Sequence, residues 1–360
     1  MRIFLRRLRS AVGSLLRAPP GEARRRLLAA AQIEARAREA PFALEAAEPS
    51  RPDNFFAAGY LLANLDLQRK FGSDESAARE HFERHGRNEN RLQIARDYLH
   101  RRDAFFAEKF DLFKDALTDK SISAFPAFIG AAFCDLENYE GESANGVTTC
   151  FTEELVSNPQ KLYADIGAGL RNLVFKNCVC VEVYPSLTTD IIIEPACELP
   201  FETASLDGLG CFAVLEHVDK PWKMAEEFAR VVKPGGKIFI DWPFLQPAHG
   251  CPSHFFNATR EGVRSLFSAD FATVDLHTGP FEGPNYTVSF IIDNLVRSIG
   301  DEAARERFMN LTVRELRDML PTDPAWLPIL ESLDDEAIAR LSCGNTFVGL
   351  RKADAQQPGR

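Results

Sequence analysis

Three features that would assign the chain to other protein classes are missing from its 360 residues. None of its eight cysteines forms a Cys-x-x-Cys pair, and Cys178 and Cys180 alternate within an apolar run, which predicts buried thiols on one strand face. No apolar run approaches the roughly 20 residues that a membrane span needs, and no apolar core marks a signal peptide at the N-terminus. These absences favour a reducing, cytoplasmic setting.

An excess of positive charge is missing as well. The formal net charge is −10, which argues against a general nucleic-acid binder. The distribution is uneven, because residues 1–40 contain ten Arg and three Glu. Arg interleaved with Leu, Ile and Phe predicts a basic amphipathic segment over residues 1–50. Such a segment could lie on an anionic membrane surface, although a frayed basic tail explains the same composition.

Residues 51–135 favour a small helical module. Apolar residues recur at helical spacing on both sides of the break "GSDES". The ending of this segment, with His81-Phe82 and His85-Gly86, resembles a short helical module found beside glycan-processing enzymes. His81 and His85 are spaced i, i+4, which metal sites can use. Because no cysteine or acidic partner is arranged to complete such a site, we expect a surface helix and no bound metal.

From residue 160 the sequence alternates between strands and helices. Apolar runs at "KLYADIG", "NCVCVEVY", "TDIIIEP", "LDGLGCFAVLEHV" and "KIFIDWPF" predict five strands, and "FATVDLH" (271–277) and "NTFVGLR" (345–351) predict two more. Continuous apolar strands separated by helices imply a mostly parallel sheet covered on both faces. We therefore predict an α/β, Rossmann-like domain of seven strands over residues 150–352, with a helical insertion between the last two strands.

The first of these strands runs into a glycine turn that is one glycine short. Asp165 precedes Gly167-Ala168-Gly169, a tight turn where backbone can approach a ligand closely. The third glycine of a dinucleotide turn packs a crossover helix on the strand, and here it is absent. Only eight residues, Leu170 to Asn177, precede the next strand, which predicts a crossover reduced to about two helical turns or to plain loop.

Glu182 closes the second strand, 17 positions after Asp165. An acid at this place can accept hydrogen bonds from both hydroxyls of a ribose. The sequence then continues through "LPF", "SLD", "VLEHV" and "KPGG", between Leu199 and Pro243. This run resembles the class I S-adenosylmethionine-dependent methyltransferases of type 11. The missing third glycine, together with a motif that has no role in hydride transfer, disfavours an NAD-dependent oxidoreductase.

The resemblance implies S-adenosylmethionine as the cofactor and assigns residues to it. The sequence differs from the family pattern at the position that contacts adenine. Pro195 stands where the family has an acid, and Glu194 lies one position early. Arg171 could contact the cofactor carboxylate or be solvated. The residues assigned to the cofactor in this way are Asp165, Gly167, Ala168, Gly169, Arg171, Glu182, Glu194, Ala196, Cys197 and Leu215, the last of which lines the methyl-transfer pocket.

Methyl transfer to a hydroxyl also needs a base close to the acceptor. The candidates are His217, His249, His254 and Asp241, although His217 could equally serve a structural role at the start of a helix. Four aromatic residues near them could present flat faces to a sugar ring, although core packing is favoured for any one of them. These are Trp242, Phe244, Phe255 and Phe256.

The stretch from Pro243 to Phe267 is similar to a methyltransferase subgroup linked to polysaccharide and lipid-linked glycan biosynthesis, which also has a shortened first loop. We therefore predict O-methylation of a saccharide or another hydroxylated acceptor in glycan biosynthesis. The alternative is a catalytically inactive methyltransferase fold that binds or organises components of glycan assembly. The shortened loop and Pro195 favour the alternative, whereas Glu182 and the run from Leu199 to Gly236 favour the enzyme.

Overall fold

The structure is a computed structural model that describes residues 47–129, 149–171, 173–183, 186–195, 198–249, 253–279 and 282–343. Contacts divide the chain into two compact units, one within Met1–Phe244 and Gly250–Pro280 and the other within Leu245–His249 and Phe281–Arg360. The basic segment 1–40 and the predicted strand 345–351 lie outside the described residues. Among the described residues, no helix is both long and apolar enough to cross a membrane.

The first unit begins with a small module that has its own core. Strands β1 (Ala47–Pro49) and β2 (Leu92–Ile94) pair in antiparallel fashion. Between them lie helices α1 (Ala57–Ala63), α2 (Leu65–Phe71) and α3 (Glu75–His81), and α3 continues into a single π-helical turn. Asp74 starts α3 by accepting hydrogen bonds from the backbone N–H groups of Ser76 and Ala77. Tyr60 and Phe82 are among the buried residues at the centre of this module.

The main sheet of the first unit contains six described strands. They are β3 (Ala127–Ile129), β4 (Tyr163–Ile166), β5 (Cys178–Glu182), β6 (Ile191–Ile193), β7 (Leu206–Phe212) and β8 (Val232–Asp241), in the spatial order β3-β6-β5-β4-β7-β8. Every pairing in this sheet is parallel. The carboxyl ends of the strands therefore meet at one edge, where ligands of open parallel sheets bind.

Helices cover this sheet and supply its core. They are α4 (Arg96–Phe113), α5 (Thr149–Ser157), α6 (Pro221–Val231) and α7 (Arg260–Phe267). Pro221 occupies the first turn of α6, where a proline is favoured. Residues of α4, α6 and α7 share the largest core with the strands. Phe151 and Leu155 of α5 pack with Tyr163 and Phe212 in a separate cluster.

The α/β, Rossmann-like prediction is confirmed, but the strand count and three details differ. Six strands are described instead of seven. The segment 271–277 is not a strand and Val274 is 92% exposed, so its alternating pattern reflects no buried face. Ala127–Ile129 joins the sheet beside β6, although residues 51–135 were predicted to form a separate module. The strand predicted at "KIFIDWPF" begins earlier, at Val232, so "KPGG" lies inside β8, where it forms an irregularity in the pairing with β7.

Helix α4 is tied to the sheet by a buried ion pair. Lys109 Nζ lies 2.7 Å from Asp190 Oδ2, and both side chains are fully buried. The same Asp190 oxygen accepts a hydrogen bond from the backbone N–H of Cys180 at 2.7 Å. The ammonium group of Lys109 also faces the rings of Phe105 and Phe106. Residues upstream of the predicted methyltransferase domain are therefore part of its core.

The second unit is a set of short helices with a small core. Its helices are α8 (Pro284–Ser298), α9 (Glu302–Met309), α10 (Val313–Asp318), α11 (Leu327–Leu330) and α12 (Asp335–Leu341). Its buried core consists of Ile299, Ala304, Phe308 and Ile329. The sequence predicted a helical insertion here.

Candidate active site

The glycine turn lies at the carboxyl end of β4 and curls over the end of β5. The backbone N–H groups of Gly167 and Ala168 both donate to the carbonyl oxygen of Val181, at 2.9 and 3.1 Å. Gly167 and Gly169 have φ values of +67° and +59°, which favour glycine. A Cβ atom at Gly167 would lie 2.2 Å from a methyl group of Val214. The turn therefore packs directly against the end of β7.

Glu182 is held at the end of β5, beside the glycine turn. One carboxylate oxygen accepts from the N–H of Gly169 at 2.8 Å, and the other accepts from the N–H of Val183 at 2.7 Å. Burial raises the pKa of this carboxyl. Each carboxylate oxygen can accept a further hydrogen bond, so the pair of oxygens suits a ribose diol.

Arg171 is buried beneath the turn, so the solvated alternative is wrong. Its Nε lies 2.7 Å from Asp165 Oδ2 and its Nη2 lies 3.0 Å from Asp165 Oδ1, which forms a two-pronged ion pair. Both side chains are 3% exposed, and the guanidinium lies over the ring of Phe212. This position differs from the predicted contact with a cofactor carboxylate, because the guanidinium points toward the sheet.

The residues predicted to contact adenine lie only partly within the described ranges. Glu194 is half-buried after β6 and Pro195 is exposed. Ala196 and Cys197 lie outside the described residues, so their assignment stays a prediction.

The turn after β7 carries Leu215 and His217. Leu215–His217 form one turn of 3-10 helix in which Leu215 and Glu216 are fully buried. His217 Nδ1 lies 2.9 Å from the carbonyl oxygen of Ser253. Because a carbonyl only accepts, Nδ1 carries the hydrogen, and Nε2 is the ring nitrogen that can take up a proton.

The segment after β8 folds back onto this turn. The N–H groups of Phe255 and Phe256 donate to the carbonyl oxygen of Glu216, at 2.6 and 3.3 Å. Trp242 Nε1 donates to the carbonyl oxygen of Phe256 at 3.0 Å. These bonds bring the ring of His254 to 5.5 Å from that of His217, edge to face. The structure therefore brings together two of the predicted imidazoles.

Three aromatic side chains, one at the start of α6 and two that follow His254 in sequence, are open to solvent. Trp222, Phe255 and Phe256 are 48%, 46% and 40% exposed. Trp222 and Phe256 meet at 6.2 Å, and Phe255 and Phe256 at 6.4 Å, measured between ring centroids. Phe244 is also exposed, whereas Trp242 is half-buried. Most of the predicted aromatic residues are therefore surface rings, and Trp222 is one that the sequence reasoning missed.

Asp241 and His249 are the two remaining candidate bases. Asp241 ends β8, opposite Phe212 of β7. His249 belongs to the second unit, where its Nδ1 lies 3.0 Å from the carbonyl oxygen of Pro247. Their predicted roles stay predictions.

Sequence reasoning also missed two hydroxyls that hold the glycine turn. Thr188 Oγ1 accepts from the N–H of Arg171 at 2.9 Å, and Ser186 Oγ lies 3.3 Å from the carbonyl oxygen of Gly169. The only signal was a run of hydroxyl residues after β5, "SLTTD". That composition alone predicts an ordinary turn.

The arrangement fits the cofactor that the sequence implies. The glycine turn leaves backbone close to the strand ends, and Glu182 offers an acid at the position where a ribose would bind. Gly167 is packed so tightly that no side chain could replace its hydrogen. Gly167, Gly169 and Glu182 would hold S-adenosylmethionine, which supplies an activated methyl group when bound. Both carboxylate oxygens of Asp165 are bound by Arg171.

Comparisons with known proteins found one family match and several similar solved structures. Residues 165–240 match the family described as "Methyltransferase domain". Among solved structures, the YcgJ protein of Bacillus subtilis is 16% identical, with 45% of this chain and 90% of that chain covered and a TM-score of 0.29. Phosphoethanolamine N-methyltransferase 2 of Haemonchus contortus, in complex with S-adenosyl-L-methionine, is 16% identical, with 54% and 49% covered and a TM-score of 0.29.

The family match spans the glycine turn, Glu182, the 3-10 turn after β7 and most of β8. Residues 165–240 are therefore similar to a methyltransferase domain. The prediction of an S-adenosylmethionine-dependent methyltransferase is confirmed, and S-adenosylmethionine is its cofactor.

Proposed function

We propose that this methyltransferase O-methylates a saccharide or another hydroxylated acceptor in glycan biosynthesis. The observation that carries the proposal is a group of exposed rings, two of which belong to the segment that folds back onto the turn of His217. Trp222, Phe255 and Phe256 leave large apolar faces in solvent, and such faces suit the C–H surface of a sugar ring. The predicted similarity to a glycan-linked subgroup points to the same acceptor class.

His217 supports transfer to a hydroxyl. Its Nδ1–H is occupied by the Ser253 carbonyl, so Nε2 can accept the hydroxyl proton as the oxygen attacks the methyl carbon. The His254 ring is nearly perpendicular to the His217 ring, with 5.5 Å between the ring centroids. His254 Nε2 in turn lies 2.8 Å from Asn257 Oδ1, which holds that ring in place.

The test is transfer of a labelled methyl group from S-adenosylmethionine to a panel of sugars, sugar nucleotides and glycans. We expect Trp222→Ala and Phe256→Ala to raise the KM for the acceptor by about fivefold, since each removes a stacking contact worth about 1 kcal/mol. The dissociation constant of S-adenosylhomocysteine should not change. Phe128→Ala is the matched control, because Phe128 is an exposed ring on β3 at the opposite edge of the sheet.

Equal KM values in all three variants would contradict an acceptor site at these rings. Binding of S-adenosylhomocysteine without transfer to any hydroxylated compound would favour the non-catalytic alternative.

A second proposal concerns residues 1–40, for which the sequence alone is the support. Their ten Arg and three Glu favour contact with an anionic membrane surface. Sedimentation of the full chain with vesicles containing phosphatidylserine tests this. Binding that falls with rising salt and is absent with neutral vesicles is expected, and equal sedimentation with both kinds of vesicle would contradict it.

A further inference from the structure

We propose that Arg171 is a positioning residue that holds the shortened cofactor turn from beneath, without contacting the cofactor. The proposal rests on the methyltransferase assignment and is independent of which acceptor is methylated.

The side chain of Arg171 is committed to Asp165. Two parallel N–H···O contacts, at 2.7 and 3.0 Å, join the guanidinium to both carboxylate oxygens. Both side chains are almost completely buried, and the guanidinium carbon lies over the Phe212 ring, 5.9 Å from its centroid. A two-pronged contact fixes the orientation of the guanidinium plane as well as its distance.

Two hydroxyl groups form hydrogen bonds with the backbone on either side of Leu170. The N–H of Arg171 donates to Thr188 Oγ1 at 2.9 Å. The carbonyl oxygen of Gly169 lies 3.3 Å from Ser186 Oγ and 3.5 Å from Thr188 Oγ1. The N–H of Gly169 is bound by Glu182 at 2.8 Å. Only Leu170 separates Arg171 from Gly169, whose backbone N–H binds Glu182.

These contacts occupy the place of a missing helix. In a dinucleotide turn, a crossover helix packs on the strand and orients the glycine loop. Between β4 and β5, residues 167–171 and 173–177 contain no helix. The Arg171 side chain and the Thr188 hydroxyl are what anchors the end of the turn here.

Lysine should not replace Arg171. A lysine keeps the positive charge but presents a single point of contact, so the two-pronged geometry is lost. The turn would then sample other conformations. If the binding-competent turn falls to about a tenth of the population, the apparent dissociation constant of every ligand that needs the turn rises about tenfold.

Two ligands separate positioning from direct contact. S-adenosylhomocysteine carries the amino acid carboxylate, whereas 5′-methylthioadenosine has the same adenosine part without it. Calorimetry should give Arg171→Lys dissociation constants about tenfold weaker for both ligands. If Arg171 contacted the cofactor carboxylate, only the affinity for S-adenosylhomocysteine would fall, and that result would overturn the proposal. Unchanged affinity for both ligands would overturn it as well.

Arg230→Lys is the matched control. Arg230 makes the same kind of two-pronged contact, to Glu227 at 2.9 and 2.7 Å, but lies on α6 outside the turn. This variant should bind both ligands as the wild type does.

A second variant keeps the test decisive if Arg171→Lys does not fold. Thr188→Val removes the hydrogen bonds of the Thr188 hydroxyl and keeps the ion pair. We expect its affinity to fall equally for both ligands and by less than in Arg171→Lys. A loss of affinity confined to S-adenosylhomocysteine would overturn the proposal. Backbone amide exchange at Gly169 and Arg171 in the ligand-free protein should accelerate in Thr188→Val and not in Arg230→Lys. A wild-type protein that binds neither ligand would overturn the cofactor assignment, whereas an acceptor panel without product would leave this inference standing.

Discussion

The buried carboxyl of Glu216 should make the stability of the protein depend on pH. Glu216 is fully buried in the turn after β7, and burial raises its pKa from 4.5 to about 7. A carboxyl whose pKa is raised in the folded state binds its proton more tightly there than in the unfolded chain. Its contribution to stability is therefore complete below pH 4.5 and is lost as the pH rises to about 7. The shift corresponds to about 3 kcal/mol.

Denaturant unfolding of wild type and Glu216→Gln at pH values from 5 to 8 measures this effect. The neutral amide has no proton to lose, so the free energy of unfolding of the variant should rise relative to wild type by up to about 3 kcal/mol across this range. His217 Nε2 lies 3.8 Å from Glu216 Oε1, and a charged imidazole would favour the carboxylate. The same comparison in a His217→Gln background removes that influence. If the free energy of unfolding changed with pH in the same way in wild type and Glu216→Gln, the reasoning would be refuted.

Two further predictions concern the core and the turn. Lys109→Met should lower the free energy of unfolding by about 3–5 kcal/mol in chemical denaturation, because it leaves Asp190 buried without its charge partner. Adding Asp190→Asn should recover part of this stability. Additive losses of stability in the two single variants would contradict the pairing. Gly167→Ala should abolish calorimetric binding of S-adenosylhomocysteine, because its Cβ would lie 2.2 Å from Val214 and φ is +67°. Adding Val214→Ala should restore part of the binding, and wild-type affinity in the single variant would contradict the packing.

The strands could be predicted where a local pattern carries the information. β4 to β8 are apolar runs bounded by turn residues, and the structure contains all five. β3 consists of three residues and pairs with β6, more than 60 positions away, so no local pattern could reveal it. The segment 271–277 shows the opposite case, because its alternating residues include Val274, which is 92% exposed. Alternation predicts a strand only when one face is buried.

The cofactor residues could be predicted by position but not by contact. Asp165, the two glycines and Glu182 follow from where the strands end, and the structure brings them together. The partner of Arg171 could not be predicted, because the direction of its side chain depends on the path of a loop without regular structure. The hydrogen bonds of Thr188 could not be predicted for the same reason. Shortening the crossover removed the helical periodicity from which such contacts are usually inferred.

The central claim is that the shortened turn and Glu182 form a working cofactor site, and calorimetric titration with S-adenosylhomocysteine tests it most directly. Glu182→Ala removes two charge-assisted hydrogen bonds to the ribose, so we expect affinity to fall about a hundredfold or more. Glu226→Ala, at an exposed carboxylate on α6, should bind as the wild type does. One-site binding by the wild type and its loss in Glu182→Ala alone are the results predicted. Absence of wild-type binding, or equal affinity in Glu182→Ala, would contradict the claim.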